Sequence, residues 1–356
     1  MGRENGFTAL RLFAAILVLI THSYSLAAEA QDPVMKLTAL LPASTLGVDM
    51  FFAISGFLIC ASLKRQPTYG SFLRNRLLRI MPALAVLCVI TVFVAGPLLT
   101  NSNRYWHDEQ TLAYLWNATI YVWQPFLPGV FTGNLTPVVN GSLWTLAMEA
   151  TCYLVLLLFA WSGALNRRGL AVLLAATYML HVYEVFPRGL ILFGYSGGME
   201  VYHLNRFLLL FAGGAFISLI GRSWAVSWPV TVITGALVLL AFYRGQEDWR
   251  NFMPIYLPVW PWFVISLAYR LKRLSRLDGF DASYGIYLYS FPIQQAFVQL
   301  SHQTITPGML TLLALPLTLV FAFLSWFLVE KPALSLKGGL PAPPRPAVPP
   351  TTALAS

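Results

Sequence analysis

The chain has 356 residues, of which 57% are hydrophobic and only 10% charged, with a mean hydropathy of +0.66. A soluble globular domain carries about 25% charged residues, so a soluble enzyme is excluded and an all-α integral membrane protein is expected. The net charge of +9 would suit nucleic acid, but its distribution along the chain argues for membrane topology, and no nucleic-acid partner is expected.

Apolar windows long enough to cross a bilayer predict ten spans, near residues 7–26, 46–63, 78–99, 142–164, 169–187, 204–221, 225–243, 252–270, 283–301 and 308–329. In the first, Arg11 and His22 bracket the run Leu12 to Ile20. At 100° per residue they fall about 20° apart on one stripe, with a rise of about 16.5 Å between them. Ionisable groups inside a span are costly and usually face a functional interior. The basic start and Ala28-Glu29-Ala30 also resemble a signal peptide with a small-residue cleavage site, whose removal would take both residues away.

The second span opens with Gly47-Val48-Asp49-Met50-Phe51-Phe52. Asp49 either caps that helix or lines a cavity. Ser55-Gly56 interrupts it, as Gly213-Gly214 interrupts the sixth. Close helix packing explains both pairs; a narrow passage for an acyl chain or a pantetheine arm is the alternative. Between spans two and three lie Arg74, Arg76 and Arg79. Arg76 and Arg79 share a helix face, a fork suited to phosphate oxygens or to the headgroup of an anionic membrane lipid.

The segment 100–141 is long for a connector, and its aromatic stretch Thr111 to Trp123 could lie along the interface or stack on sugar rings. Glu149 lies about two turns into the fourth span, where a carboxylate must be paired, solvated or protonated. The span near 169–187 is weakened by His181 and Glu184. Cys60, Cys88 and Cys152 fall within spans and read as inert thiols. No P-loop, dinucleotide fingerprint or metal-ligand spacing occurs, so no metal is expected. The chain divides into a membrane domain, 1–335, and a Pro/Ala-rich tail, 336–356, expected to be disordered.

With the amino terminus placed in the cytoplasm, 17 of the 23 Lys and Arg fall on the inner side and six, including Arg206, on the outer. That asymmetry puts both termini inside.

Six fragments together resemble the acyltransferase-3 family of membrane-bound acyltransferases. They are Arg11-x10-His22; Gly47-Val48-Asp49-Met50-Phe51-Phe52 with the following Ala53 to Ile59; Arg76-Leu77-Leu78-Arg79 to Pro82; Ser142-Leu143-Trp144 to Glu149; Ser283-Tyr284-Gly285-Ile286-Tyr287-Leu288-Tyr289; and Val329-Glu330-Lys331-Pro332. They lie in the family's order from residue 7 to residue 332. The resemblance favours a retained first span. It implies transfer of an acyl group, often acetyl, from cytoplasmic acyl-CoA to a hydroxyl of a glycan or lipid-linked saccharide in the bacterial inner membrane. It also implies that Arg11 and His22 matter to activity and that Arg76 and Arg79 form a cytoplasmic basic motif. Many relatives carry His after the ninth-span Tyr-Leu pair, where this chain has Ser290 after Tyr289.

The expected mechanism uses His22 as general base on the acceptor hydroxyl, with Glu149 orienting it and Asp49 in the same cavity. Arg11, Arg74, Arg76 and Arg79 would hold acetyl-CoA; Arg11 would meet either CoA phosphate or a cytoplasmic carboxylate. Two other classes fit the same residues: a proton-coupled transporter using His22, Glu149 and Asp49 as a relay, and a non-catalytic partner in polysaccharide assembly.

Overall fold

The computed structural model describes residues 5–337 except 30, 67, 192–199 and 222. Residues 338–356, most of the expected tail, and Ala30 of the cleavage-like motif lie outside the described residues. Among the described residues every named element is helical, and two isolated bridges, Thr100 to Val130 and Ile191 to Glu200, pair extended backbone.

Ten long helices occupy the ten apolar windows: α1 Phe7–Leu26, α2 Ala43–Leu63, α3 Tyr69–Ile90, α4 Trp144–Trp161, α5 Arg167–Val182, α6 Val201–Ile220, α7 Trp228–Glu247, α8 Met253–Arg270, α9 Ser283–Leu300 and α10 Pro307–Ser325. Single π turns carry α3 on to Leu99 and α10 on to Ser335. Among the described residues, eight of these helices are long and apolar enough to cross a membrane; α5 and α9 are not. α5 is only 16 residues long and contains His181, which the fold buries.

α9 falls short for a different reason. It is packed inside the protein, so its polar groups face other helices and loops. Gln294 donates to the Leu19 carbonyl at 2.8 Å and to Ser23 Oγ at 2.7 Å, and Gln295 donates to the carbonyls of Thr136 and Val138 at 2.8 and 2.7 Å. Through Gln295, Asn140 (to the Leu288 carbonyl, 2.9 Å) and Gln299 (to the Leu99 carbonyl, 2.8 Å), the long connector after α3 is fastened to α9. Its middle folds as short turns with Thr111, Tyr114 and Asn117 buried, while Leu112 and Trp116 stay exposed.

α1 lies against α2, α9 and α10. Its first turn is tied to α8, where Gly6 N donates to the Ala268 carbonyl at 2.8 Å. At the other end Asp32 accepts from Thr21 Oγ1 at 2.6 Å and from Ala43 N at 2.8 Å, while capping the short helix Pro33–Thr38. One carboxylate thus fixes the turn from α1 into α2.

One glycine of each pair is a contact between backbones. A Cβ at Gly56 would meet the Phe211 carbonyl oxygen at 1.9 Å, and one at Gly214 the Ala53 carbonyl oxygen at 2.0 Å. α2 and α6 therefore cross with no side chain between them, which rules out a passage there. Both Gly56→Val and Gly214→Val are expected to abolish folded protein, because the atom met is backbone. Size-exclusion profiles in detergent matching the parent's would contradict this. The three cysteines are free and buried.

Candidate functional site

α1 places Arg11 and His22 on its inner stripe, each at a different cavity. Three cavities abut through shared lining residues. The largest, about 490 Å³, opens among Trp123, Trp144, His203, Glu200 and Phe291, at the end of the bundle where α1 finishes. It shares Gly141, Trp144 and His203 with a middle cavity of about 140 Å³, lined by His22, Ser142, Arg206 and Tyr287 among others. That one shares Val48, Thr145 and Tyr287 with an inner cavity of about 50 Å³, lined by Arg11, Glu149, Phe51, Ser283 and Tyr284. The series narrows toward the face where α1 begins.

The imidazole of His22 packs edge-on against Phe291, with centroids 4.9 Å apart. Its Nδ1 is buried without a hydrogen-bond partner. Further buried polar atoms without partners line the same cavities: Ser142 Oγ, Arg206 Nε, His203 Nδ1 and Trp123 Nε1. Most buried polar atoms in proteins are satisfied, and a polar ligand in these two cavities would supply partners to these five. His203 Nε2 lies 3.1 Å from Glu200 Oε2, an acid–imidazole pair that the sequence pattern did not single out.

Glu149 does not orient His22. Its Oε1 accepts from Ser55 Oγ at 3.0 Å and from the Tyr153 hydroxyl one turn along α4. These local donors hold the carboxylate at the inner cavity with Arg11. Asp49 neither caps α2 nor lines any of the three cavities. It is fully buried and pairs with Arg206, and its Oδ2 also accepts from the Tyr256 hydroxyl at 2.9 Å. His22, Glu149 and Asp49 therefore do not form one relay. Arg206, which counted toward outer loop charge, lies inside α6 and is 7% exposed.

The basic motif also divides. Arg79 is saturated: Nη2 reaches Asp281 Oδ2 at 2.8 Å and Nη1 reaches Glu330 Oε2 at 3.1 Å. Arg11 pairs with the same Asp281, so of its two expected partners the structure supplies the carboxylate. Burial alone would raise the Asp281 pKa, but the Arg11 and Arg79 guanidiniums and the Ser283 hydroxyl hold it down to about 2. Arg76 has no ion pair among the described residues, and its Nε is buried without a partner. Arg74 donates to the Leu336 carbonyl. Lys337 follows, and burial together with Arg76 and Arg79 lowers its pKa to about 8. Arg76 and Lys337 thus add positive charge near Arg79 that meets no ion pair among the described residues. Ser290 is fully buried and its Oγ has no partner.

Sequence comparison agrees with this architecture. The profile of the acyltransferase-3 family, described as an acyltransferase domain, matches residues 4–330. An "O-acetyl transferase" of Shigella phage Sf6 is 29% identical over 335 residues, covering 93% of this chain and 96% of the relative. "Nodulation protein 10" of Rhizobium leguminosarum bv. viciae is 29% identical over 365 residues, covering 96% of each. A "Regulator of hypoxia-inducible factor 1" of Caenorhabditis elegans is 30% identical over 130 residues, covering 34% of this chain and 24% of the relative. No solved structure gives a significant match.

Proposed function

The chain belongs to the acyltransferase-3 family and is a multi-pass membrane O-acetyltransferase, and from that premise we propose that it moves acetyl from acetyl-CoA at one membrane face to a hydroxyl of an envelope or exported glycan at the other. The observation that carries this reading is the series of abutting cavities from Arg11 and Glu149 to Trp123 and Trp144. Both termini are cytoplasmic in this reading and the membrane is the bacterial inner membrane; with Arg206 removed from the count, 17 Lys and Arg face five across it. The acceptor is a glycan, free or lipid-linked, held in the wide aromatic cavity.

The donor's phosphates meet Arg76, Arg74 and Lys337, while Arg79 holds the frame through Asp281 and Glu330. The pantetheine arm follows the narrow cavity, where Arg11 and Glu149 offer a hydrogen-bond donor and an acceptor to its amides. In the middle cavity the acceptor oxygen adds to the thioester carbonyl as His22 takes its proton. The C–S bond then breaks and His22 returns the proton to the leaving thiolate. Acyl transfer of this kind needs a base and a positioned carbonyl, which this reading brings together in the middle cavity.

Glycan mass spectrometry of a strain lacking the chain against its parent tests the assignment. Loss of one acetyl mass per repeating unit is expected; an unchanged glycan acetylation pattern contradicts it.

Lys337 gives a pH signature. Its folded pKa lies below its usual value of 10.5, so the charged form is disfavoured in the fold, and stability rises with pH between about 8 and 10.5. Binding an anionic donor restores the charge. Donor affinity should therefore fall as pH rises through about 8 in the parent protein and fall less in Lys337→Met. Parallel affinity profiles from titration calorimetry would remove Lys337 from the donor site.

A further inference from the structure

Resting on the acyl-transfer reading above, we propose that Arg206 is a catalytic residue that stabilises the oxyanion formed on the thioester carbonyl, and that Asp49 and Tyr256 are the positioning residues that hold it. Arg206 lines the middle cavity with His22. None of the described residues lining that cavity is a carboxylate, so Arg206 meets no counter-charge among them.

Its anchoring is one-sided. Nη2 bonds Asp49 Oδ2, the oxygen that also accepts from the Tyr256 hydroxyl at 2.9 Å. Asp49 Oδ1 and Arg206 Nε are both buried and without partners. A pair selected for stability would use both carboxylate oxygens and two guanidinium nitrogens, and a buried ion pair is weak evidence for stability in any case. The arrangement instead grips the guanidinium at one edge. Phe207 supports the guanidinium plane, with its ring centroid 5.6 Å from the central carbon.

In the proposed step the acceptor O–C bond forms and the carbonyl π pair moves onto oxygen, opposite Arg206, while the hydroxyl proton goes to His22. Collapse returns that pair to the carbonyl, expels the thiolate and yields the ester. A fixed cation in a water-poor cavity is worth most at this point, because it needs no reorganisation as charge develops. Asp49 and Arg206 each lie within the first two turns of α2 and α6, helices that cross backbone to backbone at Gly56 and Gly214. That rigid crossing sets where the guanidinium sits.

The test compares the parent with Asp49→Asn/Arg206→Gln and with Arg206→Lys, using purified protein, acetyl-CoA and the acetyl-free glycan. The double variant removes both charges together, Asn matching Asp in shape and the shorter Gln remaining polar, so no orphan charge is left in the buried site. It is expected to melt close to the parent and bind acetyl-CoA as tightly, with kcat lower by about 10²–10³-fold, the typical loss of one preorganised donor. Arg206→Lys retains a charge but not the fork, and is expected to fold while losing at least about tenfold in kcat with donor and acceptor KM unchanged. Near-parental kcat in either folded variant overturns the role. So does a rise in acceptor KM at constant kcat, which would make Arg206 a reader of an anionic acceptor. An inactive parent overturns the acyl-transfer reading and this role with it; an active parent beside an active folded double variant overturns only the role of Arg206.

Discussion

Purified His22→Ala is expected to transfer acetyl about 10²–10⁴-fold more slowly than the parent, the usual contribution of a positioned general base, while folding normally. The ring touches Phe291 edge-on and lines a cavity, and its Nδ1 bonds nothing. Its removal thus breaks no hydrogen-bond network. Loss of rate with an unchanged melting temperature and unchanged acetyl-CoA affinity is the signature of a base. Because no carboxylate touches His22, Glu149→Gln should not reproduce that loss of base; it should raise the donor KM. Near-parental turnover by folded His22→Ala would remove the residue from the mechanism.

The second large effect falls on stability. Arg79→Ala strands Glu330 and leaves Asp281 with Arg11 alone, two carboxylates with side chains 2% and 15% exposed. Removing one partner from such a buried group costs about 3–5 kcal/mol, and Arg11 neutralises only one of the two carboxylates. The variant is expected to lose most folded protein. Arg76→Ala, three residues away, breaks no ion pair and should fold, with weakened donor binding. Thermal melts in detergent check the pair: equal melting temperatures for the two variants would contradict the division of labour.

That division marks the limit of what sequence pattern could supply. The spacing of Arg76 and Arg79 made them look equivalent. The partners that separate them, Asp281 and Glu330, lie 202 and 251 residues from Arg79. Likewise Asp49 stood out as a costly acid, but its partner Arg206 is 157 residues away and passed as loop charge. The helices themselves were legible because a span needs an unbroken apolar run, and Arg11 and His22 were legible because a local helical stripe relates them. α9 shows the converse. Its glutamines and tyrosines lower its hydropathy because they serve neighbouring helices and the connector, a function set by tertiary packing. His203 and Glu200 are three residues apart at the start of α6, a local spacing that sequence could have offered; the fold adds that the histidine sits at the junction of two cavities.

In the proposed mechanism donor and acceptor meet from opposite faces through the cavity series. Proteoliposomes loaded with the acetyl-free glycan, and given acetyl-labelled acetyl-CoA only outside, test it most directly. In vesicles oriented with the Arg76 face outward, labelled glycan is expected inside, with the CoA moiety remaining outside and the label strongly reduced in His22→Ala vesicles. Acetylation only when donor and acceptor share one compartment would contradict it.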